Sequence, residues 1–395
     1  MVLKFRRETE FKQTEIGEIP KDWDIIKLGE LANIKTGKTN VQDAVENGKY
    51  PLFDRSGELK RSNKYLFDTE AVIVPGEGKD FLPKYYVGKF DLHQRTYAIF
   101  NFKPDLKGRY FYFAMFILRH YLKEWAVGST VLSLRLPIFK QLLIPRPPHS
   151  EQSRIATVLS WFDDLIENKK RQNEILEKVA MAIFKSWFVD FEPFKDEEFV
   201  YNEELGKEIP EGWEVEKFGD VAEFHDHKRV PLSEIERQKR RGIYPYHGAN
   251  GVIGYIDDYI FDGEYLLVAE DGTVVDENGF AVSRLVEGKF WANNHVHVIQ
   301  GKNNVPTEFL YLVLKYTPIA PYITGAVQLK LNQKNFTKMP VLLPPQPILQ
   351  HFHFLVEPLF QKIILNQKQI MVLRKIRDAL LPKLVFGKLR VEVIE

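Results

Sequence analysis

EIGEIPKDW at residues 15–23 recurs as ELGKEIPEGW at residues 204–213, and the echo continues in order through most of both halves of the chain. The offset between the copies moves only in small steps, which separates duplication from chance. Trp23, Leu28, Gly29, Ala32 and Lys38 match Trp213, Phe218, Gly219, Ala222 and Lys228 at a spacing of 190. Tyr50, Pro51, Gly57, Phe67, Asp68, Glu70 and Val74 match Tyr244, Pro245, Gly251, Phe261, Asp262, Glu264 and Val268 at 194. Gly88, Lys89, Phe90 and Ile99 meet Gly288, Lys289, Phe290 and Ile299 at 200, and Gly128, Phe139, Pro147, Pro148 and Leu176 meet Gly325, Phe336, Pro344, Pro345 and Leu373 at 197. Such a unit is far longer than the roughly 20–50 residues of a solenoid repeat, so it reads as a duplicated domain with its connector.

The 395 residues suit two domains better than one core, and 44% hydrophobic with 13% aromatic content can fill both. Without cysteine there is no disulfide framework, thiolate metal site or cysteine nucleophile. MVLKFRRETEF at the start lacks the apolar stretch of a signal peptide, and no run approaches a membrane span. A soluble, cytoplasmic protein with no membrane partner is expected. Fifty-five basic against 54 acidic residues leave a net charge of +1, with local basic clusters at 225–242 and 361–390.

AVIVP (71–75), TYAIF (96–100), EYLLVA (264–269) and HVHVI (295–299) read as strands, and 109–125 and 307–316 as buried helices. The fold class is therefore α+β: two similar mixed domains, each closed by a proline-rich exit, LLIPRPPHSEQ at 142–152 and PVLLPPQPILQ at 340–350. After each exit apolar residues recur in steps of three and four. The series Ile155, Leu159, Phe162, Ile166, Lys169, Asn173, Leu176, Ala180, Ile183 and Trp187 returns 197 residues later as Phe352, Val356, Leu359, Ile363, Asn366, Ile370, Leu373, Arg377, Leu380 and Leu384. These are two long helices packing as an antiparallel coiled coil, with polar seam residues that fix register. The expected boundaries are 1–150 for the first domain, 151–190 for the first spacer helix, 191–345 for the second domain, and 346–395 for the second helix and tail.

At this point the chain resembles a specificity subunit of a type I restriction-modification system. The resemblance spans essentially the whole sequence. It rests on the E-I/L-G-x-I-P-x-x-W opening, QRTYAI at 94–99, NNHVHVI at 293–299, DALLPKLVFGKL at 378–389, and a Pro-Pro exit into a long helix in each half. The second exit lacks the Glu151–Gln152 pair of the first, which makes a partner contact at that helix start less secure. The resemblance implies two target-recognition domains, each reading half of a split double-stranded DNA target, with the helices setting the unread gap. It implies as partners two modification (methyltransferase) subunits and restriction (translocase/nuclease) subunits. S-adenosylmethionine, ATP and Mg2+ would be used by those partners and no cofactor by this chain. Self-association of the isolated chain is a further expectation.

The residues agree that the chain is not itself catalytic. Neither Pro-Pro pair sits in the Asn/Asp-Pro-Pro-aromatic motif of an amino-methyltransferase, and no G-x-x-x-x-G-K-[ST] loop is present. The pairs His225/His227, His295/His297 and His351/His353 could ligate zinc on paper, but the sequence offers them no completing acidic or cysteine ligands.

Base readout needs side chains that make paired hydrogen bonds to groove edges. Positions where the scaffold repeats but loop chemistry differs are the natural determinants. They are Arg55 and Ser56 against Asn250, Lys79 against Thr273, and Gln94 and Arg95 against Asn293, Asn294 and His295. Ser129, Thr130 and Arg135 stand against Ala326, Val327 and Asn332, beside Gln328 and Lys330. Lys35, Lys38, Lys228, Arg229, Lys239, Arg240 and Arg241 are the expected phosphate contacts. The alternative is a protein-binding scaffold without direct DNA readout. A self-sufficient methyltransferase or nuclease is least supported.

Overall fold

The computed structural model describes residues 2–128, 130–325 and 328–394. The mixed α+β organisation is present twice. In the first copy six strands lie in the order Asn33–Thr36, Thr96–Phe100, Phe67–Pro75, Lys84–Leu92, Tyr50–Phe53 and Lys60–Ser62. The second copy repeats that order with Ala222–Phe224, Val296–Gly301, Phe261–Ala269, Ser283–Ala292, Arg241–Gly248 and Gly251–Ile256. Each sheet contains a parallel strand pair, with Leu52 and Phe53 beside Asp91 and Leu92 in the first and Tyr246 and His247 beside Trp291 and Ala292 in the second.

AVIVP is apolar throughout because its strand is covered on both faces. Successive side chains alternate, so Val72 and Val74 join one core with the helix Gly108–Trp125 while Ala71 and Ile73 join Phe67, Phe90 and Phe100 in another. In the second copy Leu266 and Val268 face the core shared with the helix Thr307–Leu314, and Tyr265 and Leu267 face the opposite cluster.

The chain divides into two compact units, Met1–Glu167 with Ile370–Glu395, and Asn168–Gln369. The long helices run from His149–Phe188 and Gln346–Val385, 40 residues each, and each unit holds part of both. The expected seam residues all lie at buried or half-buried positions. In the second unit Lys169 Nζ stands 3.5 Å from Asn366 Oδ1, and Asn366 Nδ2 donates to Asn173 Oδ1 at 2.9 Å. In the first unit Arg377 Nη1 donates to Asp163 Oδ1 at 2.7 Å. The polar seam residues thus find polar partners, and the pairing is antiparallel within each unit.

The first unit is also fastened through both ends of the sequence. Val2–Arg7 pairs antiparallel with Leu389–Ile394. Arg390 sits among Glu151, Asp22 and Glu8, over the ring of Trp23. This corrects the reading of Glu151–Gln152 as a partner-facing pair: both are buried, Glu151 against Arg390 and Gln152 against the backbone of Lys107, Asp105 and Pro147. Arg390, counted in the basic cluster at 361–390, is likewise buried.

Candidate nucleic-acid interface

In each domain three loops are hydrogen-bonded into one surface. In the first, Gly76 N donates to Arg95 O at 2.8 Å, Leu134 N to Gly76 O at 2.8 Å, and Val127 and Ser133 exchange bonds at 2.9 Å. In the second, Glu270 N donates to His295 O at 3.0 Å, Leu331 N to Glu270 O at 2.9 Å, and Thr324 and Lys330 exchange bonds at 2.8 Å. These are the same positions carried across the duplication. The third loop depends on a glycine each time: Gly128 has φ +125° and a Cβ there would lie 2.4 Å from Val131 O, while Gly325 has φ +90° and would meet Gln328 O at 2.2 Å.

The turn between the strands Lys84–Leu92 and Thr96–Phe100, and its counterpart between Ser283–Ala292 and Val296–Gly301, are built alike. His93 Nδ1 accepts from Arg95 N at 3.1 Å, and Asn293 Oδ1 accepts from His295 N at 2.9 Å. A side chain satisfying a backbone N–H two residues on is a local turn-former. His93 and Asn293 are buried in that role, which corrects the expectation that Asn293 reads a base. The next two residues, Gln94 and Arg95 or Asn294 and His295, are thrown onto the surface.

Each surface residue at the end of this turn is held by a carboxylate from the neighbouring loop. Arg95 Nη1 bonds Glu77, which also accepts from Arg55 Nη1 at 2.5 Å, and His295 Nδ1 lies 2.7 Å from Asp271 Oδ2. Desolvation works against the Glu77 charge, but Arg95 and then Arg55 hold its carboxyl below the usual range. A recess of about 330 Å³ in the first domain is lined by Thr36, Glu77, Gln94, Arg95, Tyr97 and Arg135, among others.

The other expected base readers fall on the same loops or beside them. Arg55, Lys79, Thr130 and Arg135 are exposed in the first domain, and Asn250, Thr273, Gln328 and Lys330 in the second. Ser56 is half-buried with its hydroxyl on Asp54 Oδ1 at 2.6 Å. Gln94 Nε2 donates to Asn40 Oδ1 at 2.7 Å. Ser129, Ala326 and Val327 lie outside the described residues. Of the expected phosphate contacts, Lys35, Lys38, Lys228, Lys239 and Arg241 are exposed. Arg240 instead pairs with Asp257 at 3.0 Å and stacks over Trp291, and Arg229 is drawn inward onto Glu270 at 2.8 Å and Val296 O at 2.8 Å.

Arg229 belongs to a constellation the sequence reading missed. Asp226, Glu270 and His297 bring ligand atoms within 4.8 Å of one another, so acidic groups do approach this histidine, contrary to expectation. Sequence distance hid them, since they come from three separate places: the short turn Asp226–Lys228, the residue after the strand Phe261–Ala269, and the strand Val296–Gly301. Both ring nitrogens of His297 are engaged, Nδ1 with Asp226 at 2.5 Å and Nε2 with Leu331 O at 2.7 Å, and the cation facing Glu270 is Arg229. The group is an internally satisfied ion network. Although burial opposes it, His297 holds the Asp226 carboxyl below its ordinary range. In the first domain the matching positions are Thr36, Thr39, Gly76 and Tyr97, and Tyr97 Oη donates to the equivalent carbonyl, Leu134 O, at 3.3 Å. Of these neutral groups, Thr36, Gly76 and Tyr97 line the recess of the first domain.

A family model described as the type I restriction modification DNA specificity domain matches twice, over residues 20–178 and 210–374. The MjaIX specificity subunit of a type I restriction enzyme from Methanocaldococcus jannaschii is 41% identical over 429 aligned residues, covering 99% of each chain. The EcoDI specificity subunit of Escherichia coli is 27% identical, covering 90% of this chain and 85% of its own. In fold, the chain resembles the crystal structure of the type I restriction-modification S subunit from M. genitalium, with a TM-score of 0.59 at 21% identity over 92% of this chain and 96% of that one. Two tandem specificity domains and a relative similar from end to end place the chain firmly: it belongs to the specificity subunits of type I restriction-modification systems.

Proposed function

We propose that each domain reads one half of a split DNA target with its three-loop surface, that the long helices set the unread gap, and that two modification subunits dock along those helices. The observation that carries this is a repeated scaffold with altered exposed chemistry. The backbone bonds joining the loops are the same in both domains, while exposed Lys79, Gln94 and Arg95 become exposed Thr273, Asn294 and His295. Two domains of one fold that must read different sequences would differ in this way. Exposed Lys35, Lys38, Lys228, Lys239 and Arg241 would hold phosphates. Arg229 and Arg240, already paired with carboxylates, are left out of that set.

In this reading the chain performs no chemistry. Methyl transfer from S-adenosylmethionine and ATP- and Mg2+-dependent translocation and cleavage belong to the partner subunits. Since the net charge is only +1, the isolated chain would hold DNA weakly and the assembled complex would supply much of the grip.

The test is co-expression with a modification subunit in a methylation-free host, followed by genome-wide mapping of methylated adenine. The expected result is a motif of two short half-sites with an unspecified gap. Exchanging residues 15–150 for those of another such subunit should then alter one half-site only. A stable complex that neither methylates nor binds DNA in a sequence- and salt-dependent way would favour the protein-binding scaffold instead.

A further inference from the structure

Positions 77 and 95 carry an ion pair in the first domain, and positions 271 and 295 carry its counterpart in the second. The two pairs offer different chemistry. Glu77 engages one terminal nitrogen of Arg95, and the Nε and Nη2 donors have no partner among the described residues. Arg95 is 59% exposed in its side chain and borders the open recess with Gln94 and Arg135. A guanidinium held at one corner presents a free edge with two parallel donors, which matches the O6 and N7 acceptors of guanine. His295, held by Asp271 through Nδ1, has a single ring nitrogen left and cannot make a two-point contact. Two arginines of the second domain are engaged elsewhere: Arg229 with Glu270, and Arg284 with Gly248 O and Ala249 O.

The neighbouring positions differ in the same sense. In the first domain the floor is Thr36 and Tyr97, and Arg135 stands exposed at the start of the helix Leu136–Gln141 without capping it. In the second domain the matching Asn332 is spent on its own helix, accepting from Asn335 N at 2.9 Å, and Asp226, Glu270 and His297, joined with Arg229 in one ion network, stand at the positions of Thr36, Gly76 and Tyr97.

Resting on the reading of the chain as a DNA-specificity subunit, we infer that Arg95 reads a guanine in the first half-site and that Glu77 is the residue that positions it. The second half-site lacks this contact at the corresponding position. Two-point readout of guanine discriminates against the wrong base by about 1–3 kcal/mol, or on the order of 5- to 100-fold.

The experiment uses the complex of the full chain with its modification subunits. Its probes are duplexes carrying the mapped target with each base pair of both half-sites changed in turn, and its readout is the relative methylation rate. The half-site that follows residues 15–150 in the domain exchange should contain a guanine whose replacement slows wild type on the order of 5- to 100-fold. R95Q should lose that discrimination at this one base pair and keep it elsewhere. R95K should keep overall affinity without restoring selectivity, because lysine is a point charge without a planar fork. E77Q should weaken selectivity at the same base pair with less loss of affinity. A first half-site without guanine overturns the inference, as does an R95Q variant that weakens all duplexes equally or an R95K variant with full selectivity. None of these would disturb the proposed function, which fails only if no split target is found.

Discussion

Replacing Arg390 by methionine should be among the most damaging single changes in the first unit. The guanidinium donates to Glu151 at 2.6 and 2.7 Å, to Asp22 at 2.9 and 3.0 Å, and to Glu8 at 2.6 Å. Its pKa is driven upward, first by the bonds to Glu151, with desolvation opposing. The side chains of Glu8 and Glu151 are only 8% and 3% exposed, so removing the cation leaves two carboxylates close together with little water. Asp22, at 55%, is solvated and adds little. Losing one partner of a buried ion pair costs about 3–5 kcal/mol, largely from the charge left behind. The indole of Trp23, which donates to Glu151 Oε2 at 3.3 Å and lies under the guanidinium, makes the loss readable by tryptophan fluorescence during urea unfolding. The companion variant Glu151→Gln with Arg390→Met removes the repelling charge and should recover part of the loss, giving a coupling of about 1–3 kcal/mol. A penalty below about 1 kcal/mol for Arg390→Met, or strictly additive effects, would show that this cluster is solvated in the folded protein and that the burial argument is wrong.

The seam makes a similar prediction with the opposite remedy. Asn366→Ile should cost about 1–3 kcal/mol because Asn173 and Lys169 lose their buried partner, whereas adding Asn173→Leu and Lys169→Leu should restore stability; a harmless single change in urea melts would count against it. Glu264 is pushed up to about 7 by desolvation, with Glu308 adding to it. Between about pH 4.5 and 7 the folded protein therefore holds a proton the unfolded chain has released, and stability falls as pH rises through that window. Glu264→Gln should remove this slope and gain about 1–2 kcal/mol at pH 8, discounted for partial exposure; equal slopes in paired unfolding series would refute it. Asp226→Thr alone should cost about 2–4 kcal/mol by stranding His297. Copying the first domain at all four positions, with Arg229→Thr, Glu270→Gly and His297→Tyr added, should recover most of it. No recovery would mean that these positions are supported differently in the two domains.

Much of this architecture was legible because duplication acts as an internal control. Val72 and Val74 could be assigned to a strand with some assurance since Leu266 and Val268 repeat the pattern, and the seam was readable because Lys169 and Asn366 interrupt it at the same place. What the sequence hid was long-range. Glu151 and Arg390 are 239 positions apart and Asp226 and His297 are 71 apart, so no local period announces either contact. The site was partly legible for the same reason. Comparing copies finds where chemistry changes but not whether a changed residue faces out, and so Asn293 looked like a base reader and Arg229 like a phosphate contact when one forms a turn and the other a half-buried ion pair.

The recess of the first domain and the ion network of the second also explain why surface chemistry and interior chemistry change together. Tyr97 meets the Leu134 carbonyl with one neutral hydroxyl, and its neighbours can be as small as Thr36 and Gly76. An imidazole at that position donates to the Leu331 carbonyl through Nε2 but brings a second nitrogen, Nδ1, which faces Asp226 Oδ2 at 2.5 Å. Desolvating that carboxylate is tolerable only with nearby positive charge, and Arg229 stands 3.5 Å from it while also pairing with Glu270 at 2.8 Å. Each member is a consequence of the one before, so the four are expected to change as a set. Drawing Arg229 inward takes a cation from the surface of the second domain, whereas the first domain keeps Arg95 and Arg135 at the rim of an open recess. The difference in what the two domains can contact therefore begins beneath the surface, in the choice between a hydroxyl and an imidazole against one backbone carbonyl.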